Sequence, residues 1–277
     1  MVRAPAALSV PGDSLAGAAA AGWPFGARSA IVPAATVCLY WAGMALNDWA
    51  DRELDRVERP ERPIPSGRVS PRFALGLAAG LTAAGVGLAG LAGGRAGLRV
   101  AVPLAGTVWA YDLALKSTPA GPVAMAAARA LDVLLGAGGG RAAIPAAVAV
   151  GTHTLGVTLL SRGEVHGMTT AVPKATLAIT VAITGAALTP GRRAGRFARL
   201  AAAGLAACYA GSVGSAQSAA IRDPTSGPVR RAVGAGILGL MPLQASLLAR
   251  AGSVRVAVPV ALAFPLARRL SRKVAAT

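Results

Sequence analysis

Residues able to do chemistry crowd into one short stretch. The seventeen positions from Asn47 to Pro63 hold ten charged residues, including six of the chain's eleven Asp and Glu. Read as a helix at about 100° per residue, Asn47, Asp51 and Asp55 fall within an arc of about 80°, and Asp48 widens it to about 100°. Like charges that close repel unless a cation sits among them, and a hard divalent cation such as Mg²⁺ takes oxygen ligands, keeping waters and substrate phosphates in the rest of its shell. The alternative is a solvated charged loop whose acids pair locally with Arg52, Arg56 and Arg59. A second group is Tyr111 and Lys116, in the segment Tyr111-Asp112-Leu113-Ala114-Leu115-Lys116-Ser117-Thr118-Pro119. There a lysine supplies a compact positive charge to a phosphate, or merely snorkels to the interface. A third is Ser161-Arg162-Gly163-Glu164-Val165-His166-Gly167. Glu164 can ligate a hard cation, whereas the imidazole of His166 suits softer metals.

The elements that position these residues are apolar helices. Of the 277 residues, 54% are hydrophobic and 14% charged, a membrane composition. Spans of about 20 residues are expected near 6–22, 28–46, 73–91, 98–115, 121–138, 142–160, 171–188, 197–218, 232–248 and 254–266. The expectation is thus an all-α, polytopic bundle of nine or ten transmembrane helices, one domain over residues 1–277. The first segment is either a retained helix broken at Pro11-Gly12-Asp13 or a secretory signal starting at Arg3. The net charge of +17 sits mostly beside apolar runs, where cations face lipid head groups, so no nucleic-acid partner is expected. Cys38 and Cys208 are too far apart in sequence to suggest a disulfide framework. Connections after the second, fourth, sixth and eighth spans fall on one side of the bilayer. The overall Lys and Arg excess makes that side cytoplasmic in the cell membrane, with the cluster at 192–199 counting against it.

Two ionisable groups lie inside spans. Arg129 and Asp132 are three residues apart on the fifth span, about 60° apart around it, and can pair. Charge at bilayer depth faces the bundle interior, where it does either functional or structural work. His153, between Thr152 and Thr154, is expected as a satisfied interior histidine.

The string Asn47-Asp48-x-x-Asp51-x-x-x-Asp55 followed by Arg59-Pro60-Glu61-Arg62-Pro63-Ile64-Pro65-Ser66-Gly67 resembles the first aspartate-rich motif of the UbiA superfamily of intramembrane prenyltransferases. The resemblance implies Mg²⁺ held by Asn47, Asp48, Asp51, Asp55 and Glu164 against a polyprenyl diphosphate donor. It implies Asp48, Asp51 and Lys116 as catalytic groups and Arg62, Lys116, Tyr111, Arg129, Glu164 and His166 as substrate contacts. The superfamily usually carries a second Asp-x-x-x-Asp where this chain has Glu164 and His166. That loop, with Val10-Pro11-Gly12-Asp13, is similar to the EboC-type branch. The implied activity is Mg²⁺-dependent prenyl transfer to an acceptor the sequence does not name, aromatic or otherwise. The competing implication is a non-catalytic or translocating isoprenoid-lipid binder. A CDP-alcohol phosphotransferase would need an Asp-Gly-x-x-Ala-Arg string that is missing ahead of the acids.

Overall fold

The computed structural model describes residues 8–189, 191 and 194–275. Ala6, at the start of the first expected span, and Arg192, in the basic cluster, lie outside them. Among the described residues all regular structure is helical: α1 (Val10–Ala20), α2 (Val32–Ala50), α3 (Arg52–Glu58), α4 (Pro71–Ala110), α5 (Gly121–Gly136), α6 (Ile144–Ser161), α7 (Ala171–Leu188), α8 (Arg196–Arg222), α9 (Ser226–Arg250) and α10 (Val254–Ala275). A π-helical turn, Tyr111–Leu115, continues α4, and short 3₁₀ turns precede α2 and α6.

α4 is two spans in one. Gly94 adopts φ 55° and ψ −135°, a conformation glycine takes at no steric cost. The chain folds back there, so Trp109 Nε1 donates to Thr82 Oγ1 at 3.0 Å. Along a straight helix those residues would stand about 40 Å apart. The two arms match the third and fourth expected spans. Among the described residues, six stretches are long and apolar enough to cross a membrane, with Pro71–Leu115 counted once as a whole. α1 has only 11 residues, about 16 Å of helix, which is half a bilayer's thickness. It is a half-helix packed on α2, α5, α6 and α9.

Small residues let these helices meet at backbone distance. A Cβ on Gly17 of α1 would fall 1.8 Å from the Val133 carbonyl oxygen of α5. One on Gly136 of α5 would fall 1.8 Å from that of Ser14 in α1. This is the small-residue packing that replaces hydrophobic drive in lipid. α9 sits at the centre, with nearly all of residues 239–249 buried, against α1, α6, α8 and α10.

Chain direction puts four connections at one end of the bundle, and hydrogen bonds tie them together. The Arg162 guanidinium donates to the Thr118 carbonyl, Arg230 Nη2 to the Glu164 carbonyl at 3.0 Å, and Met168 N–H to the Pro224 carbonyl at 3.0 Å. The connections after α2, the π turn, α6 and α8 thus form one mouth, as the alternation of spans requires. At the opposite end the Phe25 ring closes over Gly93 and Gly138.

Candidate functional site

The mouth is built on two helical turns that face each other. α2 ends at Ala50 and bends at Asp51 (φ −86°, ψ 3°). Helical hydrogen bonding nonetheless runs on, from Asp51 N–H to the Asn47 carbonyl at 2.9 Å and from Asp55 N–H to the Asp51 carbonyl at 2.8 Å. Asn47 and Asp51 therefore project four residues apart. Opposite them the π turn, closed by Lys116 N–H on the Tyr111 carbonyl at 2.9 Å, projects Asp112 and Lys116, also four apart. The turns interlock as two rungs. Asn47 Nδ2 donates to Asp112 Oδ1 at 3.1 Å, and Lys116 Nζ donates to Asp51 Oδ1 at 2.5 Å. π turns of this kind recur at functional sites because they re-aim side chains. Gly43 makes the approach possible, since a Cβ there would lie 2.9 Å from Val108 Cγ1.

The other two acids face elsewhere. Arg62 Nη1 lies 2.8 Å from Asp55 Oδ2 and 3.4 Å from Asp48 Oδ1. Asp55 is only 1% exposed and also has Arg59 at 3.8 Å. Arg62 is held by the turn its own string makes. Ser66 N–H bonds the Arg62 carbonyl at 3.0 Å and Val69 N–H the Pro63 carbonyl at 2.9 Å, with Gly67 at φ 76°. The single acidic face expected from spacing is thereby divided: Asp48 and Asp55 converge on Arg62, while Asp51 turns to Lys116. The local pairing expected of a solvated loop is confined to Arg56 with Glu53 at 2.6 Å, Arg52 with Glu53 at 3.5 Å and Arg59 with Asp55.

Among the described residues no group of three His, Cys, Asp or Glu side chains closes around a metal position. The donor set is still of the right kind. Asn47, Asp48, Asp51 and Asp112 offer only hard oxygen ligands, and Mg²⁺ is commonly bound by one or two carboxylates completed by waters and substrate phosphates.

Of the expected site residues, Asn47, Asp48, Asp51, Asp55, Arg62 and Lys116 come together, and Tyr111 lies within electrostatic reach of Asp51, Asp112 and Arg162. Glu164 and His166 belong to the same mouth, but Glu164 presents its backbone carbonyl to Arg230 and His166 is exposed. Arg129 lies away from the mouth, inside the bundle, and the pairing with Asp132 that its spacing allows is corrected. Arg129 Nε lies 2.9 Å from Asp13 Oδ2 of α1, an ion pair across helices. His153 is a satisfied core histidine, with Nδ1 2.9 Å from the Tyr209 hydroxyl and Nε2 3.0 Å from the Gly236 carbonyl. Its helix ends at Ser161, so it shares no face with Glu164. Two members escaped the sequence reading, Asp112 and Arg162. Each stands beside a residue that was singled out, and a carboxylate following an apolar run was the signal for Asp112.

Comparison with known proteins agrees with this arrangement. The model of the UbiA prenyltransferase family matches residues 9–230. The chain is 46% identical over 110 residues, 40% of its length and 38% of the relative's, to digeranylgeranylglyceryl phosphate synthase of Methanopyrus kandleri. It is 40% identical over 118 residues, 43% of its length and 38% of the relative's, to the enzyme of that name from Ignicoccus hospitalis. These matches span under half the length of the curated relatives. A solved structure concerned with digeranylgeranylglyceryl phosphate synthase in membranes shares the fold with a TM-score of 0.61, covering 92% of this chain and all of that one at 19% identity. The apo structure of a UbiA homolog from Aeropyrum pernix gives a TM-score of 0.55, covering both chains in full at 21% identity.

Proposed function

Since the chain belongs to the UbiA prenyltransferase family, we propose that it transfers a polyprenyl group from its diphosphate to a lipid-soluble acceptor, at a mouth opening on the cytoplasmic side of the cell membrane. The observation that carries this reading is the pairing of two cations, Arg62 and Lys116, with Asp48, Asp51 and Asp55. A diphosphate arriving with Mg²⁺ brings both signs of charge, and these pairs supply a partner for each. Lys116 and Arg62 turn to phosphate oxygens, while Asp48 and Asp51, with Asn47 beside them, are the residues that would hold the metal. When bound there, the metal would supply positive charge against the charge growing on the departing diphosphate. The allylic C–O bond breaks with its electron pair going to the diphosphate, the acceptor's nucleophilic atom bonds to that carbon, and the acceptor's proton passes to solvent. Lys116, 23% exposed at its side chain, serves as a fixed positive charge in a partly dry site, where such charge acts most strongly. The apolar helices around it keep water from the allylic cation.

Relatives named digeranylgeranylglyceryl phosphate synthase favour a glyceryl-phosphate alcohol over an aromatic ring as the acceptor. Arg162 and Arg230, which link the neighbouring loops, suit a second phosphate at the same mouth. The test is to incubate purified protein with geranylgeranyl diphosphate, Mg²⁺ and either acceptor class, and to identify the prenylated product by mass spectrometry. Prenylation of the glyceryl phosphate is expected. Prenylation of the aromatic acceptor alone would overturn the acceptor assignment.

The second reading is a binder without turnover. It is favoured by the Glu164 and His166 loop, which replaces the family's second acid pair and resembles the EboC-type branch. Binding of the donor with no product from any acceptor would select it.

A further inference from the structure

A separate polar cluster lies inside the bundle. Ser9 and Asp13 come from α1 and the residue before it, Arg129 and Asp132 from α5, and Gln244 from the centre of α9. Asp13 and Gln244 are fully buried, and Asp132 is 6% exposed. The Gln244 amide orientation is fixed by its contacts, because Nε2 donates to the Ser9 carbonyl at 2.7 Å and to Asp13 Oδ1 at 2.6 Å. Its oxygen is thereby aimed at Gly12, where a Cβ would come within 2.2 Å of it. Among the described residues, three buried oxygens of this cluster have no hydrogen-bond donor: Gln244 Oε1, Asp132 Oδ1 and Asp13 Oδ2. The last has only the off-line ion pair to Arg129 Nε. Asp132 lies within electrostatic reach of both Asp13 and Arg129.

The charge count gives the missing partner. Two carboxylates face one guanidinium, leaving one negative charge and three empty acceptor positions in a region shut off from water. Buried charge without compensation costs several kcal/mol, and at this depth the cost recurs in every copy of the protein. We infer that the Asp13 and Asp132 carboxylates form an interior site for one small monovalent cation, a proton or an alkali ion, whose occupancy fastens α1 to α5. A proton is held by one carboxyl beside the other, and an alkali ion sits between the two carboxylates. The shared chemistry is one positive charge on hard oxygens. Other groups around the cluster are few. His153 from α6, bonded to the Tyr209 hydroxyl of α8, is within electrostatic reach of Arg129, Gln244 is neutral, and the packed neighbours α2 and α4 carry Cys38, Tyr40, Asp48, Arg72, Arg95 and Arg99.

Thermal unfolding of the full chain in detergent, from pH 5 to 9 in sodium or in N-methylglucamine buffer, tests the site. A bound proton leaves as pH rises, exposing two carboxylates to one guanidinium, so wild type loses about 3 °C of Tm at the alkaline end. If the ion is sodium, the salt restores that loss at high pH, and N-methylglucamine does not. Asp132→Asn supplies the missing N–H and removes the surplus charge. Its Tm should be flat in both pH and sodium relative to wild type. Should that variant fail to fold, carbodiimide labelling of wild type decides, since the reagent attacks protonated carboxyls in apolar surroundings. Labelling of Asp13 or Asp132 that falls with pH supports a proton, and protection by sodium supports the alkali ion. Identical Tm profiles for wild type and variant, or an absence of labelling at both acids together with no sodium effect on Tm, would overturn the site.

Discussion

The mouth and the interior cluster use the same residue types in opposite ways. At the mouth, each of Asp48, Asp51 and Asp55 has a cation from a different segment within 3.4 Å, and exposure falls from the Lys116–Asp51 pair, 23% and 24% exposed, to Asp55, 2% exposed at its side chain. In the interior, one arginine serves two carboxylates, and three oxygens go without a donor. The Lys116–Asp51 pair, about a quarter exposed, adds little to stability, so Lys116 can be handed to a substrate at small cost to the fold. A buried pair that loses one member strands a charge. The proposed chemistry is therefore placed at the mouth, and the inferred role of the interior charges is in how the helices hold together.

The sharpest way to break this contrast is Arg129→Met. It leaves Asp13 buried without its ion pair, at a cost of about 3–5 kcal/mol. Loss of a monodisperse peak in size-exclusion chromatography is expected. A folded variant of unchanged Tm would show that the interior arginine is dispensable.

Next come Asp48→Asn and Asp51→Asn. Each keeps shape and loses charge, so product formation should fall by about 10²–10³-fold while Tm stays within a few degrees of wild type. Activity within threefold of wild type in both would remove these acids from the site. Arg62→Lys is expected to have a smaller effect. One ammonium cannot serve Asp48 and Asp55 through a planar fork, and a rise in KM for the donor of about tenfold is expected, roughly 1.4 kcal/mol, without loss of folded protein.

The smallest effect marks the lower end of the scale. Asp223, in the turn between α8 and α9, accepts from Thr225 N–H at 3.2 Å and from its hydroxyl at 2.7 Å, and these bonds hold its carboxyl below the ordinary aspartate range. A lowered carboxyl stabilises the fold fully above its unfolded value and loses that contribution as pH falls through its folded value, so the difference between Asp223→Ala and wild type should be largest above about pH 4 and fade below it. Tm titrations of the two forms check the sign. Sidedness has its own test. A cysteine at Glu58 should react with an impermeant maleimide only after cells are opened, and labelling of intact cells would reverse the orientation.

Much of this was legible in the chain because helices in lipid announce themselves by length. The apolar runs placed the spans, and alternation placed four connections at one end. Spacing found Asn47, Asp48, Asp51 and Asp55, and the place of Lys116 just after an apolar run, in a segment resembling the family's Tyr-and-Lys loop, singled it out. What spacing could not show was division among partners. A helical wheel puts Asp51 with Asp55, but Lys116 sits 65 positions away and draws Asp51 off. Likewise Arg129 had an apparent partner three residues on, yet the half-helix α1 brings Asp13 to it across more than a hundred residues. Local periodicity carries no information about which helix is the neighbour. The three bare oxygens are a property of that neighbourhood alone.

The most direct test of the central claim is diphosphate release. Purified protein is mixed with geranylgeranyl diphosphate and acceptor, with Mg²⁺ or with chelator, beside Asp51→Asn. The account predicts multiple turnovers of inorganic diphosphate from wild type with Mg²⁺, and release at least about 10²-fold slower with chelator or in the variant. Equal release from wild type and Asp51→Asn, or release indifferent to Mg²⁺, would contradict it.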